Sequence, residues 1–127
     1  MTLVALVMFG GAFGAVLRYL VTQWLQTGWL QAGAAGRFPW GTFVVNVGGS
    51  FVLGLLSGLT AGAGGLPEWL RVLAGTGFCG ALTTYSAFGL ETVRLAEHGA
   101  WRYASINAGA TVAAGIGACW LGWLISS

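Results

Sequence analysis

Four apolar stretches, at about 2–25, 40–60, 68–95 and 101–125, divide this chain, and each reaches the ~20 residues that a helix needs to span a bilayer's hydrocarbon. A segment of that kind has little choice of structure. In hydrocarbon every backbone N–H and C=O must be satisfied within the protein, which leaves helices as the solution for single apolar segments. Between the stretches, 26–39, 61–67 and 96–100 collect Gly, Pro, Gln and charges, as connections do. Tryptophans 24, 29, 40, 69, 101, 120 and 123 fall near the expected helix ends, where an amphipathic ring anchors at the headgroups. The first stretch is too long for a signal-peptide core and lacks a basic start, so it reads as a retained helix.

Composition points the same way. Hydrophobic residues make up 57% of the 127 positions and charged residues 6%, with a mean hydropathy of +0.81. A soluble domain carries roughly a quarter charged residues to clothe its surface. The reading is an all-α integral membrane protein forming a single four-helix transmembrane domain over 1–127. The positive charge is five arginines with no lysine, set against Glu68, Glu91 and Glu97. No basic stripe with interleaved aromatics exists, so nucleic acid is not expected as a partner. An enzyme is not expected either: there is one histidine, His98, and no paired carboxylates or nucleophile–base set. Cys79 and Cys119 sit in apolar segments without CxxC spacing and read as packed thiols.

An even number of spans puts both termini and the 61–67 connection on one side, with Arg71. The other side carries Arg37, Arg94 and Arg102, with Arg18 snorkelling toward it. Three against one is a small positive-inside bias, and also what a chain inserting both ways up would show. Gly10 with Gly14, and Gly54 with Gly58, form GxxxG pairs, and Gly109, Ala113 and Gly117 continue small-every-fourth spacing on the last span. Small residues at that spacing let membrane helices approach closely. A four-helix bundle is too small to enclose a hydrated path, so any path is expected at an interface between subunits.

Polar groups at membrane depth are expensive and usually functional. Asn46, in V-V-N-V-G-G-S, either staples two helices or faces a polar path. Tyr103, Asn107 and Thr111 recur at i, i+4 and i+8, a stripe of neutral donors suited to a small anion. In 80–91, G-A-L-T-T-Y-S-A-F-G-L-E, Gly80, Thr83, Thr84 and Ser86 weaken helical continuity, and an interruption is expected near 80–84. Carbonyls freed there can coordinate a monovalent cation. Tyr85 and Phe88 project from one side just beyond, and ring edges are electropositive enough to attract an anion. Arg18 either snorkels or lends a vestibule positive potential.

Three motifs, G-G-A-F-G-A-V-L-R-Y (10–19), P-W-G-T-F-V-V-N-V-G-G-S-F (39–51) and G-F-C-G-A-L-T-T-Y-S-A-F-G-L-E (77–91), resemble those of the Fluc-type fluoride channels, the CrcB family. The resemblance covers nearly the whole chain. It implies an antiparallel, dual-topology homodimer in the bacterial plasma (inner) membrane, with two narrow fluoride pathways at the subunit interface. It further implies that Asn46 is the pore asparagine and that Phe88 is one of the paired rings contacting fluoride. Tyr85 stands where the family usually has the other phenylalanine. The backbone carbonyls of Gly80 and Thr83 fall where the family holds a structural sodium ion at the dimer centre. Arg18 and Glu91 match the charged residues of the first and third motifs, and Tyr103, Asn107 and Thr111 correspond to a polar stripe on the last helix. The implied activity is passive, fluoride-selective export that reduces fluoride toxicity. A small four-helix, dual-topology multidrug exporter has the same size and glycine content, but it should carry a glutamate in its first helix, where this chain has Arg18.

Overall fold

A computed structural model describes residues 1–27, 38–62 and 64–127. Trp29 and Arg37, and with them much of the 26–39 connection, lie outside the described residues. Among those described there is no strand, and the architecture is all-α. Helix α1 covers Thr2–Thr27, α2 covers Trp40–Ala61 and α6 covers Trp101–Ser126. These three are long and apolar enough to cross a membrane.

The remaining apolar stretch takes a different form from a simple helix. It begins as α3 (Glu68–Leu70), widens into a π-helix over Arg71–Cys79 and returns to α geometry as α4 (Gly80–Leu82). Thr83 and Thr84 are then extended, at φ −79°, ψ 154° and φ −148°, ψ 117°. Helix α5 follows over Tyr85–Glu97. The interruption expected near 80–84 therefore occupies two residues, since Gly80 is helical and Ser86 lies inside α5. The nine-residue π-helix was not anticipated. Apolar periodicity does not distinguish that winding from an α-helix over so short a run.

Glycine sets the packing. On α1, a Cβ at Gly10 would strike the Leu73 carbonyl and one at Gly14 the Phe78 carbonyl, so α1 lies directly on the π-helix backbone. Gly77 answers from the other side, 2.8 Å from the Val7 carbonyl at its would-be Cβ. Helices α2 and α6 form a second seam. Gly54 abuts the Cys119 carbonyl, Gly58 abuts Ser126 Oγ, and Gly122 abuts the Phe51 carbonyl. Both GxxxG pairs are thus helix–helix contacts. The stripe proposed on α6 behaves otherwise: nothing lies within 4 Å of a Cβ at Gly109 or Gly117, and the close approach is made by Gly122 instead.

With side chains this small inside, the apolar bulk points outward. Phe9, Phe13, Val16, Ile116 and Trp120 are each more than half exposed. Water would not tolerate such a surface on a soluble chain, but lipid does. The chain is a multi-pass membrane protein.

Candidate functional site

The two extended residues between α4 and α5 would ordinarily leave orphan backbone groups. Asn46, just under two turns into the apolar run of α2, deals with them. Its Oδ1 accepts the Thr84 N–H at 2.7 Å and its Nδ2 donates to the Thr84 carbonyl at 3.1 Å. The carboxamide thus pairs with Thr84 as a neighbouring strand's peptide group would. Of the two alternatives left open for Asn46, stapling is what the geometry displays, and the same residue also lines a cleft.

Thr84 continues the accounting. As N-cap of α5, its Oγ1 accepts the Ala87 N–H at 3.2 Å, which satisfies one of the free donors at a helix start. Thr83 turns back: its N–H and its Oγ1 both donate to the Cys79 carbonyl, at 3.0 and 2.9 Å. In a continuous helix Thr84 N–H would close on the Gly80 carbonyl, and Ala87 N–H on the Thr83 carbonyl. Asn46 takes the first donor and Thr84 Oγ1 takes the second. With Tyr85 and Ser86 opening a new helix, the carbonyls of residues 80–83, Gly80 and Thr83 among them, are all left without their helical donors.

Two clefts meet at Thr84. One, of about 380 Å³, is lined by Asn46, Ser50, Gly80, Thr83, Tyr85, Phe88 and Thr111 among others. It joins hydroxyls, a carboxamide and two aromatic rings from α2, α4, α5 and α6. The Tyr85 and Phe88 ring centroids are 6.0 Å apart with planes 44° apart, and Tyr85 is 86% exposed on the subunit. The other cleft, of about 580 Å³, is lined by Arg18, Tyr19, Thr22, Gln23, Thr42, Ser86 and Glu91 together with Thr84. There the buried Thr42 donates to Glu91 Oε1 at 2.9 Å. Arg18 therefore belongs to this second cleft, which shares Thr84 with the cleft of Asn46 and the rings.

The stripe on α6 is divided. Thr111 reaches the ring cleft, whereas Tyr103 and Asn107 line neither cleft. Asn107 is 1% exposed and faces α5, where Nδ2 donates to Thr92 Oγ1 at 2.8 Å. Thr111 Oγ1 donates to Asn107 Oδ1 at 3.2 Å. Sequence reasoning missed Thr92, Thr42 and Ser50. A signal for Thr92 existed, because it follows Phe88 by four residues and so shares its helix face. Nothing in spacing alone pairs it with Asn107. His98 bonds the Arg94 carbonyl through Nδ1 at 2.7 Å, a local helix-end contact. Among the described residues no three His, Cys, Asp or Glu side chains come together as a metal set. Any cation held near the break would take oxygen ligands from the backbone, which suits a hard ion.

Comparison with known proteins gives one consistent result. The family model described as "CrcB-like protein, Camphor Resistance (CrcB)" matches residues 5–123. The chain is 53% identical over 117 residues to "Fluoride-specific ion channel FluC 1" of Streptomyces avermitilis, covering 92% of this chain and 90% of that one. It is 49% identical over 122 residues to the protein of the same name in Frankia casuarinae, at 92% and 90% coverage. It is also 43% identical over 122 residues to "Fluoride-specific ion channel FluC" of Novosphingobium aromaticivorans, at 96% and 94% coverage.

Proposed function

The chain belongs to the CrcB-like family, and from that premise we propose that it is a passive fluoride channel of the bacterial inner membrane. It is not an enzyme. Hydrogen fluoride is a weak acid that crosses a bilayer unaided and ionises in a less acidic cytoplasm, where the anion is trapped. A selective leak then suffices, because the accumulated anion runs outward down its own gradient. The multidrug exporter is not favoured: the named relatives are fluoride channels, and α1 carries Arg18 and no acid.

One observation carries the pathway reading. The ring cleft gathers Asn46, Tyr85, Phe88 and Thr111, all uncharged, on a subunit face where Tyr85 is left 86% exposed. Fluoride holds its water tightly, so conduction needs closely spaced replacements for that water. Hydroxyls, the second N–H of the Asn46 amide and electropositive ring edges supply them. Arg18 in the adjoining cleft raises the local anion concentration at the approach. Tyr103 and Asn107, off both clefts, act in this reading through the α6 framework rather than by touching the ion.

We further propose that the chain crosses the membrane a fourth time through the Glu68–Glu97 segment and works as an antiparallel, dual-topology homodimer. An open cleft that one subunit does not close is the support for a second copy. A structural sodium ion at the dimer centre fits the donors present, since the Gly80 and Thr83 carbonyls are among the four at the break that have no helical amide. Such an ion supplies positive charge and a shared ligand set between copies. This chain's residues do the rest: Asn46 and Thr84 hold the break open, and the rings stand beside it.

The test is fluoride efflux from liposomes containing the purified protein, followed with a fluoride electrode and with chloride as control. Fluoride should leave and chloride should not; equal rates would defeat the reading. Phe88→Ile should slow fluoride about tenfold or more, the effect of ~1.4 kcal/mol on the crossing barrier, while leaving assembly intact. Unchanged efflux would remove Phe88 from the path.

A further inference from the structure

Thr111, Asn107, Thr92 and the Phe88 carbonyl form a chain of hydrogen bonds that leaves the ring cleft, passes through the α5–α6 interface and comes back to a cleft residue. Thr111 Oγ1 donates to Asn107 Oδ1 at 3.2 Å, and Asn107 Nδ2 donates to Thr92 Oγ1 at 2.8 Å. Thr92 Oγ1 then donates to the Phe88 carbonyl at 2.8 Å. All three hydrogens point one way, so each bond polarises the next. Thr111 and Phe88, the two ends, both line the ring cleft, and the middle is closed to solvent at Asn107, 1% exposed.

Thr92 is the junction. Ser50, Ser57, Thr60 and Thr83 also send a hydroxyl to the carbonyl four residues back, a purely local bond. Such back-bonding bends a helix. Thr92 makes the same bond, but its oxygen is gripped at the same time by Asn107 from α6. The helical turn that carries Phe88 is thereby tied to a different helix, the one that presents Thr111 to the cleft.

We propose that Thr92 is a positioning residue: held by Asn107, its hydroxyl fixes the Phe88 turn of α5 so that the ring keeps its place opposite Thr111. The inference rests on the channel reading of the cleft, and goes beyond it by assigning the pathway's geometry to a residue that lines neither cleft. Removing the hydroxyl while keeping the volume breaks both bonds at once and leaves Asn107 Nδ2 without its acceptor in a buried place.

Thr92→Val and Thr92→Ser separate hydroxyl from packing. Each is read by liposome fluoride efflux and by the 19F resonance of 4-fluorophenylalanine placed at position 88. T92V should slow efflux about tenfold, ~1.4 kcal/mol, and shift or broaden the resonance, while T92S restores both. If T92V is not monodisperse in detergent, Thr92→Ala takes its place with the same expectations. Parent-like efflux and an unmoved resonance in T92V, or a T92S as impaired as T92V, would overturn the assignment. Should the parent chain itself fail to pass fluoride, the channel reading falls, and the resonance arm decides the positioning role alone.

Discussion

Bare backbone at the α2–α6 seam and at the Thr83–Thr84 break is handled in opposite ways. Along the α2–α6 seam, Gly54 and Gly122 let main chain rest on main chain, at the Cys119 and Phe51 carbonyls, with both helices unbroken. Their peptide groups are satisfied inside each helix, and the contact adds only packing. At Thr83–Thr84 the helix itself is opened, and its polar groups are satisfied by side chains: Asn46 from α2, Thr84 from the break. The seam costs nothing polar and does one thing, which is to hold. The break costs side-chain hydrogen bonds and leaves the carbonyls of residues 80–83 without helical donors. Closely packed backbone is covered by glycine; opened backbone is held by a carboxamide.

Substitutions can break that contrast. The largest effect should come from Gly54→Leu, which drives a side chain into the Cys119 carbonyl with no flexible group to yield. Overpacking of this kind costs ~3 kcal/mol or more at the upper end of its range, and no monodisperse protein should be recovered on size-exclusion chromatography. Recovery of folded protein would show that the seam gives way. Asn46→Leu should come next. It strips the Thr84 N–H and C=O of their partners, at ~1–3 kcal/mol each, so fluoride efflux should be lost while α2 and α6 still pair. Wild-type efflux in that variant would mean that the break is maintained without the carboxamide. Gly109→Ala should do least: nothing lies within 4 Å of the added Cβ in the subunit. Its thermal midpoint in detergent should stay within the range of ordinary surface changes, ±0.5 kcal/mol. A large loss of dimer in this variant alone would place the α6 glycines at a contact between copies.

What could be read from residue types was read where local chemistry and spacing decide. Length and apolarity gave the three long helices, GxxxG gave both seams, and the hydroxyl cluster marked where α4 and α5 part. Asn46 stood out because an amide in an apolar run needs a partner, but whether that partner was a helix or an ion lay in the third dimension. The π-helix over Arg71–Cys79 escaped because one extra residue per turn leaves no mark on hydrophobic content. The i, i+4, i+8 stripe on α6 was real as spacing yet mixed as a surface. A stripe says which residues share a face, and α5 covers that face at Asn107 but leaves Thr111 to the cleft. Spacing puts Thr92 on the face of Phe88, but its pairing with Asn107 was not legible, since that partner is fifteen positions away on another helix.

The carboxamide of Asn46 has a further consequence for how such a chain can change over generations. A kink written by proline or glycine belongs to the segment that bends, and can be gained or lost there in one step. This one is authored from a neighbouring span, by a side chain of a single reach and a single donor–acceptor pattern. The two segments must therefore drift in concert, and a substitution in either is judged by the other.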